Sequence, residues 1–522
     1  MANRYRPVQR DQPFLMPPDM REWLPGDHLA WFIIDAVESL DLSGFAVRPW
    51  GPGRAAYDPR VMLGLLFYGY ATGARSVRKI ETGCRSDVAF RVICAQDVPD
   101  HSTIGRFRRN HFADPDAIAG LFGQVLAIAA RAGLGRLGLI GLDGTKIAAN
   151  ASKDANRSRD TLGELAAAIV AEADEADAAE DALFGEARGD ELPEEMADPV
   201  TRRARILRAA ADLAAEEQEA RAADEDLARA FRERRDKGER TGPAPKGQAG
   251  KLTAETADAV LARYQAKYDD WHARNAESLA RTGKPLRGFK PVPPGQHSRV
   301  RRARARSRAA AERDAQAGPR RDAPRTRANT TDPDSRLMPV RGGTFIQGYN
   351  AQAACTADGL CVAALVTTDT TDYASYQPLT TAITTAAATL QAAAPTTIHA
   401  RLARPGILLA DAGYLSDDNL TADLPEGAAR LIATGNRRAA ATGTLAPQAT
   451  TPAAQAMTQT LATEPARSHY KTRSPIAEGP FGDHKHNLGF RRFHLRGLTR
   501  VTSEWTFQNT ARNLRKIHAA TT

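Results

Sequence analysis

Cysteine is scarce in this chain. Cys84, Cys94, Cys355 and Cys361 are spread over 522 residues with no C-x-x-C spacing. That pattern excludes a disulfide framework and a thiolate zinc site, and predicts reduced, buried thiols in a cytosolic protein. Long apolar runs are missing too. No stretch of eighteen apolar residues occurs, so nothing in the sequence reads as a membrane span. The opening MANRYRPVQRDQPFLMPP has no apolar stretch of the kind a signal peptide carries. A third scarcity is local. From Arg467 to His518 there are eleven Lys or Arg but only three acids, Glu478, Asp483 and Glu504. Five of the eleven histidines fall in the same window. The whole chain carries a net charge of +9 with a pI near 9.4, which favours a polyanionic partner. A glutamate at the head of a segment that attracts negative charge therefore needs a reason.

What is present divides the chain by composition. Residues 1–135 read as short helices. RVMLGLLFYGYATG (60–73) and SVRKIETGCRSDVAFRVIC (76–94) place apolar residues at helical spacing. In PDHSTIGRFRRNHF (99–112), Asp100 or Ser102 is positioned to cap a helix whose Arg106, Arg108 and Arg109 crowd one side. Two readings fit this region equally: a helix-turn-helix-like DNA reader, or an ordinary bundle with a solvated charged face. LGLIGLDGTKIAANAS (137–152) predicts an apolar strand that ends on Asp143, followed by a Gly-Thr turn. Residues 156–335 read as an insertion. Fourteen acids and one Arg fill 160–200, and 201–236 predict a long solvated helix. Fourteen Lys or Arg against three acids make 283–327 a candidate for disorder or a solvated linker. Strand signals return after 337, with a hairpin around Asp358-Gly359. An Ala/Thr-rich helix from Tyr376 follows, then a strand ending on Asp411, the strand ARLIAT, a Thr/Ala-rich loop (439–466) and a final helix carrying Trp505, Phe507 and Leu514.

Two strands of the same form, an apolar run followed by Asp and a small residue, suggest a shared site. Catalytic groups in α/β sheets gather at the carboxyl ends of strands. If the two strands are neighbours, Asp143 and Asp411 meet, and two bare carboxylates repel unless protonated or bridged by a cation. Hard oxygen donors suit Mg²⁺ or Mn²⁺. Two such ions about 4 Å apart serve phosphoryl transfer. Glu478 supplies a third carboxylate, and the cations around it would hold the phosphates. Glu478 and Lys485 lie seven apart, two helical turns, on one face if a helix begins close to Glu478 and takes Pro480 in its first turn. Tyr470 and Arg473 lie just upstream. Arg491, Arg492, Arg496 and Arg500 continue the basic track.

LIGLDGTKIAANAS, GYNAQAA, LLADAGYLSDDNL and AEGPFGDHKHNLGFRRFHLRGLTRV together resemble the four blocks of the catalytic domain of bacterial insertion-sequence DDE transposases, in the RNase H-like superfamily. The last block is similar to the Tyr-Arg-Glu-Lys signature of the insertion-sequence-four group, here Tyr470, Arg473, Glu478 and Lys485. One residue more than in that signature separates Arg473 from Glu478. RVMLGLLFYGYATGARSVRKIE and PDHSTIGRFRR resemble the N-terminal domain of the related eleven-eighty-two group. The resemblance covers about residues 5–155 and 335–518 and implies an α/β, RNase H-like core, a mixed sheet flanked by helices, with an all-α N-terminal domain; the long helical and partly disordered insertion is read from composition. The domains expected are a helical DNA-binding domain over 1–135, a catalytic domain over 136–155 and 336–522, and an insertion over 156–335. By the same resemblance Asp143, Asp411 and Glu478 bind two Mg²⁺ or Mn²⁺ ions. Lys485 and Tyr470 position phosphates, and His101, Thr103, Arg106 and Arg109 bind terminal inverted repeats. The expected partners are double-stranded DNA, as transposon ends and target, and a second copy of the chain, in the cytoplasm at the nucleoid. A metal-dependent nuclease of the same superfamily and an inactive DNA-binding relic are the alternatives.

Overall fold

A computed structural model describes residues 19–45, 56–166, 199–237, 249–316, 327–340, 343–393, 404–435 and 451–522. The chain packs as two compact units. The described parts of 1–156 and 329–522 form one, and those of 157–182 and 194–328 the other. Part of the acid-rich stretch, 167–198, and the loop residues 439–450 lie outside the described residues.

Among its described residues the first unit has, before the first strand, the α-helices α1 (Leu29–Glu38), α2 (Pro59–Thr72), α3 (Val77–Ser86), α4 (Val88–Ile93), α5 (His101–His111) and α6 (Pro115–Arg131). Their starts are chemically marked. Asp58, Asp87, Asp100 and Asp114 each accept a backbone N–H of the first turn, and Pro59 and Pro115 open α2 and α6. α2 ends on Gly73 at φ +85°, the left-handed cap that glycine adopts at no steric cost. Ten of the fourteen α2 residues are buried, so the helix lies inside the unit.

Among the described residues of both units, eight strands follow: β1 (Leu139–Ala148), β2 (Asn156–Ser158), β3 (Arg327–Asn329), β4 (Arg336–Pro339), β5 (Phe345–Thr356), β6 (Cys361–Thr367), β7 (Ile407–Ala410) and β8 (Ala429–Ile432). β1 is central to the main sheet. It runs antiparallel to β5 and parallel to β7, and β8 extends the sheet parallel to β7. On the other edge of β5, β4 pairs with Phe345–Gly348 and β6 with Asn350–Cys355. The hairpin turn falls at Gly359, φ +82°, as Asp358-Gly359 predicts. A helix over Tyr376–Ala393 and a longer one over Leu498–Thr521 cover the sheet. The second of these also packs on α2 and α6. Phe507 stacks on Phe67 at 4.3 Å between ring centres, and the Trp505 indole donates to the Gln352 carbonyl at 2.8 Å. This is an α/β fold with a helical N-terminal part, the class the sequence predicts. All four cysteines are buried and free.

The second unit is built mainly from three helices, Pro199–Asp236, Ala249–Thr282 and Ser298–Gln316. Over 298–316 the last corrects the reading of 283–327 as disordered, while 317–326 lie outside the described residues. Alternating Ala and Arg are strong helix formers, and this helix packs on Ala249–Thr282. The Tyr264 and His297 rings stack at 3.8 Å, and Asp314 accepts the Gly250 N–H at 2.7 Å. The Thr/Ala-rich loop is likewise shorter than predicted: Pro452–Ala462 and Glu464–Lys471 are helices. Thr451 caps the first, and threonine hydroxyls within it bond back to carbonyls four residues earlier. Among the described residues, no single helix is long and apolar enough to cross a membrane.

Candidate active site

Asp143 lies in the middle of β1. Gly144 and Thr145 continue the strand opposite Gln352 and Ala351, where a turn is predicted from sequence. The reason is lateral. β7 stops pairing with β1 at Leu409, opposite Gly141, whereas β5 stays paired to Ala148. A glycine suits position 144 because a Cβ there would collide with the Gln352 side chain and come within 2.8 Å of Asp372.

The register brings the two aspartates together. Gly141 pairs with Leu409, so Asp143 and Asp411, each two residues on, stand abreast where the parallel strands part. The Asp143 carboxyl feels the charge of Asp411. Burial, then the charge of Asp411, and more weakly that of Glu478, push the Asp143 carboxyl up to about 7, while the Gly144 N–H and Arg473 pull the other way. Asp411 is raised chiefly by burial, with Asp372 and Glu478 adding to it, against the Gly413 N–H and Arg473. Asp143 Oδ1 accepts the Gly144 N–H at 2.9 Å, and Asp411 Oδ1 accepts that of Gly413 at 2.8 Å.

Glu478 reaches the same charge field from a different element. The helix expected to begin near it begins earlier: a π-helical turn over Ser474–Glu478, an α-helical turn over Gly479–Gly482 and a second π-helical turn over Asp483–Asn487 run on from Arg473. Pro475 and Pro480 each fall in the first residues of a turn, the π turn from Ser474 and the α turn from Gly479, where a missing N–H costs least. The first π turn absorbs the extra residue in the Arg-Glu spacing. Five residues apart, Arg473 and Glu478 still meet, with the guanidinium 2.6 Å from the carboxylate, and the Ser474 hydroxyl donates to Glu478 at 3.0 Å. The Glu478 side chain is half exposed, while that of Arg473 is mostly buried. As placed, the three acids are not a finished cage. No group of three or more His, Cys, Asp or Glu side chains among the described residues stands in ion-holding geometry. The donor set nevertheless fits a hard divalent cation. Two of the carboxylates are held above their ordinary pKa by burial and neighbouring negative charge, against the pull of Arg473, and the third is ion-paired with Arg473.

Around the acids, Lys485 donates to the Thr145 hydroxyl, two residues beyond Asp143 on the strand. The Tyr470 hydroxyl donates to the Ala410 carbonyl at 3.1 Å, which braces the end of β7 just before Asp411. Arg491 and Arg492 are exposed, and Arg491 Nε donates to the Lys485 carbonyl at 3.1 Å. The other two acids of the basic window are structural. Asp483 takes Arg515 at 2.6 Å and Arg512 at 3.1 Å. Fully buried Glu504 accepts the Tyr70 hydroxyl at 3.1 Å and the N–H groups of His494 and Leu495 at 3.0 and 2.9 Å.

Sequence reasoning missed a fourth acid. Asp372, past the end of β6, accepts Lys146 at 3.1 Å, Asn350 at 2.7 Å and Gln352 at 2.8 Å, and Tyr414 in turn donates to Gln352. The signal was there. Asn350 and Gln352 are buried amides two apart on one strand face, which demand polar partners.

The candidate DNA-reading residues on α5 separate into two kinds. His101 Nδ1 meets Glu81 at 2.8 Å, and Thr103 gives its hydroxyl and N–H to the Asp100 cap at 2.9 and 2.8 Å. Arg106 and Arg109 are exposed, three apart on one face. Arg108 does not join them, contrary to expectation: it is buried and donates to the Arg75 carbonyl at 3.0 Å.

Comparison with known proteins bears on two stretches of the chain. Residues 18–110 match a family model described as a transposase domain (DUF772), and residues 434–518 match one described as a transposase DDE domain. The second match contains Tyr470, Arg473, Glu478 and Lys485. No curated protein and no solved structure matches the chain. Domains of this kind act on DNA by nucleotidyl transfer and generally use divalent metals. Together the two matches support an insertion-sequence DDE transposase.

Proposed function

We propose that the protein cuts the ends of an insertion sequence and joins them to target DNA, with Asp143, Asp411 and Glu478 as ligands for two Mg²⁺ or Mn²⁺ ions. What supports this most is the pair of aspartates side by side where β1 and β7 part, with Asp143 pushed up to about 7 by burial and then by the charge of Asp411. Bound divalent ions would supply charge stabilisation for the attacking and leaving oxygens of an in-line displacement. The chain's own groups do the rest. Asp143 gives up its proton as the site fills. Glu478 exchanges Arg473 for the site, which turns the guanidinium toward the phosphate. Lys485 presents its ammonium from beside Thr145 to a phosphate oxygen at the cut end. Tyr470, anchored on Ala410, keeps Asp411 at its place. Arg106 and Arg109 meet the terminal repeat, and two copies of the chain hold two ends at the nucleoid. On this reading 1–135 form the DNA-binding domain, 136–155 and 336–522 the catalytic domain, and 156–335 an insertion.

The test is a duplex carrying the sequences that flank the gene, incubated with Mg²⁺ and the wild type, Asp143→Asn, Asp411→Asn or Glu478→Gln. Cut and joined products are expected from the wild type alone. Equal cleavage by all three variants overturns the assignment, and cutting that never proceeds to joining identifies a nuclease.

A further inference from the structure

β1 does not stop at the acids. It continues from Asp143 to Ala148, about 16 Å at 3.3 Å per residue, and the basic segment comes alongside its far half. Arg492 forms a bridge with Ala148. The Ala148 N–H donates to the Arg491 carbonyl at 3.2 Å, and the Phe493 N–H donates to that of Ala148 at 2.9 Å. Lys485 bonds to Thr145, and Arg496 Nε donates to the Asn150 carbonyl at 2.8 Å. The cations are thus laid down in strand order: Lys485 beside 145, Arg491 and Arg492 beside 148, Arg496 beside 150. Past the strand, Asn150, Lys153, Arg492 and Arg496 line a cavity of about 630 Å³ that also includes Gln347 and one acid, Asp154. Lys153 and Arg492 are exposed, and the chemistry above uses neither Lys153 nor Arg496.

We infer that this cavity is a subsite for the DNA phosphate backbone, about half a helical turn from the reacting phosphate. The distance is the span of β1 from Asp143 to Ala148, set against 34–36 Å per turn of duplex. Three cations against one acid set its charge, and the row of cations along β1 sets the path of the backbone. The inference rests on the transposase reading for the phosphate at the acids. Its claim about Lys153 and Arg492 is tested without cleavage.

The test measures binding of the full chain to a fluorescent duplex of about three helical turns and arbitrary sequence as salt is raised. Each lost phosphate contact flattens the slope of log K against log salt by about 0.9. Lys153→Ala and Arg492→Ala should each flatten it by about that amount, and the double variant by about 1.8. Arg492→Lys should retain the slope. Arg274→Ala, which removes an exposed arginine of the second unit, serves as control. An unchanged slope in the double variant overturns the inference. So does equal flattening by the control, or by Arg492→Lys. Metal-dependent cleavage by the wild type is scored separately. Its absence beside a flattened slope removes the transposase chemistry and leaves the subsite standing, and the reverse result removes the subsite alone.

Discussion

Replacing Asp143 with asparagine should make the metal-free protein more stable, with a defined dependence on pH. The carboxyl moves from the ordinary 3.8 to about 7 on folding, mainly through burial and the neighbouring Asp411. A group whose pKa rises on folding favours the folded state below its unfolded pKa, and that contribution is lost as pH climbs through the folded value. The wild type therefore pays nothing for Asp143 at pH 4, increasingly more between pH 4 and 7, and a constant penalty above 7. The difference between 3.8 and about 7 corresponds to ~4 kcal/mol at most. Asparagine keeps the shape and the acceptor for the Gly144 N–H but carries no charge. In chelator, the melting temperature of the variant should match the wild type near pH 4 and exceed it by several degrees at pH 8. Adding Mg²⁺ at pH 8 should raise the wild type and leave the variant still, since a ligand of the folded state alone stabilises by mass action. A gap between the two proteins that stays constant from pH 4 to 8 would refute the reasoning. The raised carboxyl would then be no consequence of the site.

Arg473→Ala should free Glu478 from its ion pair, tightening Mg²⁺ binding by about five-fold, or ~1 kcal/mol for so exposed a carboxylate, while slowing DNA cleavage. Calorimetric titration with Mg²⁺ that shows weaker binding would contradict this. Glu504→Ala leaves Tyr70 and two backbone N–H groups without their acceptor in a dry core, and should cost about 3–5 kcal/mol in urea unfolding. A loss below ~1 kcal/mol would mean the carboxylate is dispensable. Lys485→Ala should retain the wild-type melting profile and lose cleavage; a collapsed transition would make it a structural residue.

Much of the fold is legible in the sequence where one local rule decides. Asp358-Gly359 marks a hairpin because only a residue free to take positive φ fits there. The strand carrying Asp411 is short, apolar and bounded by Gly406 and a capping Asp. The chain ordering of Asp143, Asp411 and Glu478 is equally readable. What escapes is decided by neighbours distant in sequence. Gly144-Thr145 looks like a turn until β5 is laid against it. Arg108 looks like its exposed neighbours until Arg75 claims it. Asp372 sits in a Thr/Asp-rich run with no periodicity, and its meaning lies in Lys146, Asn350 and Gln352. The π turns around Glu478 arise from two prolines and one surplus residue, which a regular helical repeat cannot represent.

The helix Leu498–Thr521 fills the space between α2, α6 and β6. Phe67, Tyr70 and Phe112 all pack on its Phe507. The N-terminal helices are therefore translated first but have no finished hydrophobic seat until this helix leaves the ribosome, on the order of a minute later at ordinary elongation rates. During that interval a nascent chain has exposed aromatic surface and no assembled acids. A product truncated before this helix would therefore expose Phe67, Tyr70 and Phe112, and one truncated before Glu478 would lack the third of the three acids.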